Sequence, residues 1–474
     1  MNELIRNIRK AAFALLSLLV ILFIYLSYIQ VVQSEFLLAH PLNRRTIETY
    51  RTTQYGMILD RNGEKLAYSK KEGDIFRRDY PYAAVAAQVV GYDSTTYGRS
   101  GIESAFNGDL TGNNTSLVHL GAISHLLVNK AGNNVTLTLD ANVQETAYKA
   151  LGNHKGAIVV MNPKTGAILA MVSKPSFDPN GIDQQWKSIS TNEGSPLLNR
   201  VTQGLYPPGS TIKVMIAEAA LKEKVVDLKR TIYCEGFLKI PPDYILQESH
   251  LEAYGNINLE KALAVSSNVF FGTVSLELGR SKMANTFERF GFNRPIGQDL
   301  QEISSHLPKF SSLGDGDLAQ TGIGQGSLLV TPLRMAMLTS SFANKGKIMR
   351  PYLVDKITAS DGSLMKTIAP EEWLTPTSPQ LADEINKMMV GVVQNGTGSS
   401  ASLPGVLVAG KTGTAENSQG DSHAWFIGFA PADNPQVAIA VIVENAGFGG
   451  SIAAPIARQV FRAALQEGGD GSHD

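Results

Sequence analysis

A serine and a lysine three positions apart lie where a turn gives way to a helical pattern. The Tyr206–Lys213 segment reads YPPGSTIK. Two prolines and a glycine end the preceding element, and a helix is predicted to begin at Ser210. Residues three apart share one helix face, so the Ser210 hydroxyl and the Lys213 amine are expected to lie together. A hydroxyl beside an amine that can take its proton is typical of nucleophilic catalysis.

The helix that follows is apolar on nearly all sides. In residues 212–221 only Lys213 and Glu218 are polar, which predicts a helix inside the domain rather than on its surface. A lysine there is costly unless it is paired or neutral, and a neutral lysine can act as a base. The same spacing recurs from Ser363 to Lys366, where the preceding Asp-Gly predicts a hairpin turn instead.

Two further short motifs follow in order along the chain. Ser266-Ser267-Asn268 interrupts a helical stretch, and Lys411-Thr412-Gly413-Thr414 lies at the end of a predicted strand. A second Lys-Thr-Gly, at residues 164–166, falls between two strand-like runs and is interpreted as a structural turn. The ordered set Ser-x-x-Lys, Ser-x-Asn and Lys-Thr-Gly resembles the signature of penicillin-binding proteins and serine β-lactamases.

Composition argues against several other classes of function. The chain has 474 residues and a formal net charge of -1, which gives no indication of nucleic-acid binding. Its one cysteine, Cys234, excludes a disulfide within one chain. The eight histidines show no metal-ligand spacing. The sequence therefore predicts neither a metal site nor a cofactor.

An uncharged run near the N-terminus predicts a membrane anchor. Residues 11–32 carry no charge over 22 positions, and a helix needs about 20 residues to span a bilayer. Arg6, Arg9 and Lys10 precede the run. Since positive residues stay inside, we predict a cytoplasmic tail at residues 1–10 and an extracytoplasmic remainder. The alternative is a cleaved signal peptide, but the run is long and no small-x-small cleavage site follows it directly.

The remaining chain divides into a stalk and a larger domain. Residues 33–150 are mixed and rich in polar residues, residues 151–466 hold the three motifs, and residues 467–474 form a polar tail. Strand-like runs stand at both ends of the larger domain, with helical patterns between them. The last runs are 406–409, 424–429 and 437–443, followed by a helix from Ala453 to Gln466. This order predicts an α+β fold in which helices pack against an antiparallel sheet.

The chain resembles the class B penicillin-binding proteins, which are monofunctional, membrane-anchored peptidoglycan D,D-transpeptidases. Segments similar to that family lie along nearly everything after the anchor, at residues 60–63, 97–103, 162–166, 175–180, 321–326, 330–336 and 453–455. The resemblance implies the transpeptidase fold shared with serine β-lactamases, with an all-helical subdomain beside the sheet. Two features depart from relatives. The stalk is shorter than in larger members, and Ser267 stands where class A β-lactamases have aspartate.

The resemblance also implies a role for each residue of the site. Ser210 would attack the carbonyl of the penultimate D-Ala in a stem peptide ending D-Ala-D-Ala, and a neutral Lys213 would take its proton. Ser266 would relay that proton to the leaving D-Ala. Asn268 would hold the substrate amide and Lys213. Lys411 would stay charged and attract the substrate carboxylate.

The third motif is expected to bind the substrate. Side chains alternate along a strand, so Thr412 and Thr414 share one face while Lys411 takes the other. The two threonine hydroxyls would bind the terminal carboxylate, and Gly413 would let the substrate backbone approach. The backbone N–H groups of Ser210 and Thr414 would form the oxyanion hole. β-Lactams resemble D-Ala-D-Ala and would trap Ser210 as an ester.

Two alternative functions remain open from the sequence. One is a β-lactamase-like hydrolase, although no Glu-x-x-Leu-Asn pattern supplies a deacylating glutamate. The other is a non-enzymatic β-lactam sensor or a scaffold for the cell-wall machinery. The resemblance implies, as a partner, a glycan polymerase of the shape, elongation, division and sporulation family. It does not indicate which of these processes the protein serves, or whether the acceptor amine belongs to diaminopimelate or lysine.

Overall fold

The computed structural model of the protein describes residues 2–31, 33, 53–112, 131–297, 300–417 and 420–466. The predicted tail at 467–474 and part of the predicted stalk lie outside these described residues. A single helix, α1 (Asn2–Val31), forms the N-terminus. Its Glu3–Ile29 stretch is, among the described residues, the one helix that is long and apolar enough to cross a membrane, and none of its most apolar window is buried in the protein. This helix fits a membrane anchor.

The stalk is built on a six-stranded sheet whose strands, in spatial order, are residues 364–367, 354–358, 134–137, 58–59, 65–72 and 75–79. Its elements in chain order are β1 (Ile58–Leu59), β2 (Lys65–Glu72), β3 (Ile75–Asp79), α2 (Ala83–Val90), β4 (Asp93–Ser94), β5 (Gly98–Arg99), α3 (Gly101–Ala105), α4 (Asn107–Leu110), β6 (Asn134–Leu137) and α5 (Ala141–Ala150). Asp140 caps α5, since its side chain accepts hydrogen bonds from the backbone N–H groups of Asn142 and Val143. The sequence predicted this cap.

The larger domain begins with a hairpin and ends with a hairpin and a helix. Its elements are β7 (Gly156–Met161), β8 (Ile168–Lys174), α6 (Ile182–Ser190), α7 (Arg200–Gln203), α8 (Lys213–Lys222), β9 (Thr231–Cys234), β10 (Phe237–Ile240), β11 (Tyr244–Gln247), β12 (Gly255–Asn258), α9 (Leu259–Val265), α10 (Asn268–Arg289), α11 (Asp315–Gly322), α12 (Pro332–Ala343), β13 (Ile348–Met349), β14 (Val354–Thr358), β15 (Leu364–Thr367), β16 (Glu372–Leu374), α13 (Pro379–Asn395), β17 (Ala409–Ala415), β18 (His423–Ala430), β19 (Val437–Val443) and α14 (Ala453–Gln466).

A five-stranded sheet with the order β17-β18-β19-β7-β8 forms the centre of this domain. Every neighbouring pair in it is antiparallel. α5 and α14 cover one face, and α12 packs on the other, which also meets the helical part of the domain. The predicted α+β fold, with helices against an antiparallel sheet, is confirmed. β17 lies at an edge of the sheet, and this position matters for the site.

The helical subdomain surrounds α8, whose apolar sequence predicted a buried helix. Every residue from Lys213 to Ala220 is buried, and α8 packs against α10 and α13. Each fully buried aliphatic side chain in such a helix contributes about 1.5–3 kcal/mol. The second polar residue of the helix, Glu218, is also buried and forms an ion pair with Arg289 at 2.7 Å. That pairing accounts for Glu218 and leaves Lys213 without a carboxylate partner on its own helix.

Two predicted turns are confirmed and one predicted strand is wrong. Residues 164–166 link β7 to β8, with Gly166 N donating to Asn162 O at 2.9 Å, and Ser363 lies in the turn of the β14–β15 hairpin. The strand predicted at 406–409 instead spans Ala409–Ala415. The third motif therefore lies inside a strand and not at its end. The apolar run misled the prediction because the pairing of β17 with β18, rather than local β propensity, sets the strand.

The stalk and the larger domain share structure that the sequence did not indicate. β14 belongs to the larger domain in sequence, yet it pairs with β6 of the stalk sheet, Val354 opposite Leu137. α5, assigned to the stalk from the sequence, packs against α14 and β8. Its Val143 and Ala147, with Leu151 beyond its end, are buried in the core cluster of the larger domain. By packing, α5 belongs with that domain.

Candidate active site

Ser210 lies in one turn of 3-10 helix, Gly209–Ile212, directly before α8. Gly209 has a φ of 54°, and a Cβ atom there would lie 2.8 Å from the Thr414 carbonyl oxygen. The Gly209 N–H donates to Gly324 O at 2.9 Å, and a Cβ on Gly324 would come within 2.1 Å of Gly209 O. We call Gly209–Ile212 the nucleophile turn, because the sequence predicts Ser210 as the nucleophile. This turn is held between β17 and the glycine-rich loop after α11. Only glycine allows both approaches without strain.

The Lys213 amine points from the first turn of α8 toward the second motif. Its Nζ donates to Ser266 O and to Asn268 Oδ1, both at 2.7 Å, and lies 3.5 Å from Ser266 Oγ. Nζ also lies 5.6 Å from the centre of the Phe271 ring. Ser210 Oγ is not among the hydrogen-bond partners of Lys213. Catalytic hydrogen bonds often tighten only when substrate binds.

The second motif bridges the end of α9 and the start of α10. Ser266 caps α9 in the left-handed region, with φ 63° and ψ 38°, a conformation that is uncommon for a residue with a side chain. This turn directs both Ser266 O and Ser266 Oγ at buried lysines. Asn268 begins α10, and its Nδ2 donates to Gln247 O at 2.8 Å, which leaves Oδ1 for Lys213.

Lys411 reaches the same serine from the sheet. Its Nζ donates to Ser266 Oγ at 2.8 Å and to Thr412 O at 2.9 Å. Lys213 and Lys411 are both fully buried. The structure thus brings Lys213, Ser266, Asn268 and Lys411 into one hydrogen-bonded cluster, from three segments that are far apart in sequence.

Burial and like charge change the acidity of the two lysines. Burial lowers the pKa of Lys213 to about 7, although the negative charge of Glu248 acts to raise it. Burial also lowers the pKa of Lys411 well below its usual value, and the nearby charge of Lys213 lowers it further. Two amines that share one hydroxyl titrate as a pair. These shifts do not favour the sequence-based expectation that Lys411 keeps a full charge.

In the third motif, Thr412 and Thr414 share one face of β17, as the alternation of side chains along a strand predicted. Thr412 is buried and its Oγ1 lies 2.6 Å from Thr397 Oγ1, while Thr414 is half-buried. Gly413 faces the other side, where a Cβ atom would lie 2.8 Å from Thr211 Cγ2. The structure therefore explains why glycine stands at position 413, in a way that the sequence did not indicate: a larger residue would collide with the nucleophile turn.

All three motifs open into one cleft of about 1100 Å³. Its wall includes the hydroxyl-bearing residues Ser210, Ser266, Thr412 and Thr414, together with Asn268. Lys213 and Lys411 are buried behind Ser266. A serine hydroxyl that faces an open cleft, with buried amines behind it, is the arrangement that acyl transfer through a serine ester needs.

Two aromatic residues outside the predicted site, Tyr206 and Trp425, hold the segment that leads into the nucleophile turn. Trp425 Nε1 donates to Pro207 O at 3.0 Å, and Tyr206 OH donates to Glu444 Oε1 at 2.7 Å. Arg200 Nε donates to the same Glu444 oxygen at 2.7 Å. These contacts fix the Pro-Pro-Gly approach to Ser210, and both aromatic residues act in packing.

Sequence reasoning missed two residues that contact the site: Thr397 beside Thr412, and Glu248 beside Asn268. Gly324, which contacts the nucleophile turn, lies in the 321–326 run that the sequence had already marked as similar to the family. Thr397 and Glu248 stand in unremarkable stretches. Their closeness to the motifs comes from tertiary packing alone.

Comparisons with known proteins agree with this geometry. Residues 156–462 match the penicillin binding protein transpeptidase domain, and residues 55–135 match the penicillin binding protein A dimerisation domain. The chain is 33% identical over 500 residues to peptidoglycan D,D-transpeptidase PbpA of Mycolicibacterium smegmatis, covering 98% of this chain and 99% of that protein.

Solved structures give the same result. The structure of penicillin-binding protein A from M. tuberculosis, an acyl-enzyme complex with imipenem, is similar with a TM-score of 0.83 and 33% identity, over 88% of this chain and 100% of that one. A D,D-transpeptidase domain from Eggerthella lenta is similar with a TM-score of 0.81 and 35% identity, over 88% of this chain and 99% of that one. The chain therefore belongs to the penicillin-binding protein transpeptidase family, in its class B.

Proposed function

We propose that the protein is a peptidoglycan D,D-transpeptidase that cross-links stem peptides ending in D-Ala-D-Ala through an ester on Ser210. One observation supports this most strongly: two buried lysines meet at Ser266 Oγ, behind the nucleophile turn. Relatives that match nearly the full chain are named peptidoglycan D,D-transpeptidases.

In the first step, Ser210 Oγ forms a bond to the carbonyl carbon of the penultimate D-Ala. Its proton passes to Lys213, which burial keeps neutral in part near pH 7, since its pKa is about 7. The tetrahedral oxyanion is held by the backbone N–H groups of Ser210 and Thr414. One such donor contributes about 2.7–4 kcal/mol to the transition state. The close approach of Gly209 to Thr414 O supports this pairing of the two segments.

Collapse of the tetrahedral species breaks the peptide bond and needs a proton on the leaving nitrogen of D-Ala. Ser266 can relay it, because its hydroxyl lies between the amines of Lys213 and Lys411. Asn268 Oδ1 holds the Lys213 amine. Whichever lysine keeps its charge, the pair supplies a positive field for the terminal carboxylate of the substrate.

Substrate binding uses the free edge of the sheet. β17 is an edge strand, so an extended stem peptide can lie beside it as an added strand. Thr412 and Thr414 share one face of β17 and line the cleft, where their hydroxyls bind the terminal carboxylate. No metal or cofactor takes part in this scheme.

The acyl-enzyme then reacts with the amine of a neighbouring stem peptide. A purified protein given a D-Ala-D-Ala donor and an amine acceptor is expected to release D-Ala and form the cross-linked amide, measured by mass spectrometry. It should turn over a β-lactam slowly, because the ester persists. Rapid β-lactam hydrolysis with no cross-linked product would instead support the hydrolase alternative.

Gly413→Ala tests the link between β17 and the nucleophile turn. The added methyl would meet Thr211 Cγ2 at 2.8 Å and Pro208 O at 3.1 Å, so we expect a loss of about 1–3 kcal/mol of stability. A displaced Ser210 should also lower the rate of labelling by a fluorescent penicillin on the order of 100-fold.

Gly391→Ala is the matched control. It lies inside α13 with nothing within 4 Å of an added Cβ, so stability should hold or rise by about 1 kcal/mol. Its labelling rate should equal that of the parent. A Gly413→Ala variant that labels as fast as the parent would contradict the proposed contact.

The N-terminal helix supports a membrane location. Arg6, Arg9 and Lys10 would keep the N-terminus cytoplasmic and the catalytic domain outside. Family resemblance suggests a glycan polymerase as partner, bound through the anchor and stalk. Co-purification from detergent extracts should weaken when residues 11–32 are exchanged for an unrelated membrane-spanning helix, a change that keeps α5 in the core of the larger domain. Undiminished retention of the polymerase would contradict a role for the anchor.

A further inference from the structure

A buried glutamate lies at the start of α10, directly behind the second motif. Glu248 follows β11 and is 5% exposed. Its Oε2 accepts a hydrogen bond from Asn268 N at 2.6 Å, and its Oε1 accepts one from Val269 N at 3.0 Å. Ser267 Oγ also donates to Oε1. Three donors from the motif segment therefore converge on one carboxylate.

The residue before it holds the other end of Asn268. Asn268 Nδ2 donates to Gln247 O at 2.8 Å, and Asn268 Oδ1 accepts from Lys213 Nζ at 2.7 Å. An amide turned the other way would point its NH₂ group at the Lys213 amine, a donor facing a donor. Residues 247–248 thus fix both the backbone and the side-chain orientation of Asn268.

Helix capping alone does not explain a buried carboxylate here. Ser267 already caps α10, because its Oγ accepts from Phe270 N at 3.1 Å. Burying a charge is costly without compensation. The charged groups that face the Lys213 amine are Lys411 from β17 and Glu248 from the segment after β11; Ser266, Asn268 and the Phe271 ring complete its surroundings.

We propose that Glu248 is a positioning residue for the acyl transfer, which holds Asn268 Oδ1 against the Lys213 amine and balances the charge of that buried lysine. This inference rests on the proposed function of the site. Its two parts act on the same base: one on where the base lies, the other on how readily it holds a proton.

The direction of the Lys213 pKa agrees with this role. Burial lowers that pKa, and the charge of Glu248 raises it. Glu248 therefore keeps the base from losing its proton too readily to serve as an acid in the second half of the reaction. Its oxygens already accept three hydrogen bonds, so Glu248 is not poised to activate water for deacylation.

Glu248→Gln tests the proposal, with the second-order rate of acylation by a fluorescent penicillin measured from pH 5 to 9 on the full chain. Glutamine keeps the size, removes the charge, and turns an NH₂ group toward a backbone N–H or a hydroxyl. We expect the rate at its plateau to fall about 10- to 100-fold. The midpoint of the acid limb should move down by about one pH unit, because the opposing negative charge is gone.

Two further variants separate positioning from capping. Ser267→Ala removes the cap but leaves the Glu248 carboxylate, so it should lower Tm and keep the parental midpoint. Glu248→Asp keeps the charge but is one methylene shorter, so it should keep the midpoint and lose rate. Should Glu248→Gln not fold, Glu248→Asp decides: a parental rate would overturn the proposal.

A Glu248→Gln variant with the parental rate and midpoint would also overturn it, whatever its Tm. Failure of the proposed function looks different, because the parent itself would then not be labelled by penicillin. A labelled parent beside an unaffected Glu248→Gln variant contradicts only the role of Glu248.

Discussion

Ser210→Ala is expected to abolish covalent labelling by a fluorescent penicillin and to reduce cross-linking on the order of 10⁶-fold, as loss of a catalytic serine does in serine hydrolases. The reason is local. Ser210 is the residue of the nucleophile turn that lines the cleft. Lys213, one turn later, has a pKa that burial lowers to about 7, which suits a base. The fold should be kept, because Ser210 is only half-buried and alanine suits the first turn of a helix.

Ser188→Ala serves as the control, since Ser188 is exposed on α6 and donates only to Gln185 O. It should label like the parent.

The same Ser210→Ala variant also separates an enzyme from a scaffold. In cells depleted of the parent protein, a scaffold would still support wall synthesis without its serine. Growth and cross-linking equal to those of the parent would contradict the enzymatic account.

Lys213→Met is expected to lower acylation by penicillin about 10²–10⁴-fold, the usual contribution of a general base. In the parent, the rate should rise with pH through about 7, because the pKa of Lys213 is lowered to about 7 and only the neutral amine can accept the Ser210 proton. Methionine fills the buried space without a titratable group. The variant should therefore lose both the rate and that rise, measured as acylation rate against pH.

The matched control is Lys222→Met, at the exposed end of the same helix. It should keep the parental rate and pH profile. Removing Lys213 also relieves Lys411 of a neighbouring charge, so the pKa of Lys411 should rise. A Lys213→Met variant that retains the parental profile would show that another group takes the proton.

Much of the fold and site could be predicted from the sequence, where local patterns and tertiary structure agree. The apolar run after Lys213 gave a buried helix, and Asp140 gave a helix cap. The order of three short motifs anticipated which residues would meet. This worked because the first two motifs begin or end helices, where a change of pattern is visible in the sequence, whereas the third lies inside β17.

The rest depends on contacts that no local pattern reports. β17 begins where the apolar run ends, because pairing with β18 defines it. β14 lies in the larger domain by sequence but pairs with β6 of the stalk sheet, because the other edge of the β14–β15 hairpin forms its hydrogen bonds there. Glu248 reaches the second motif from a segment about twenty residues earlier, and nothing in the alternation around β11 marks it. Such long-range pairings follow from the assembled core.

The central claim is that the three motifs share one cleft in which Ser210 carries the reactive hydroxyl. The site of penicillin attachment tests this claim most directly. Trypsin should cut after Arg200 and Lys213, releasing residues 201–213 with Ser210 inside. We predict a single penicilloyl adduct per chain, on that peptide, with fragment ions assigning it to Ser210 and not to Thr202 or Thr211. An unmodified peptide, or an adduct on any other residue, would contradict the account.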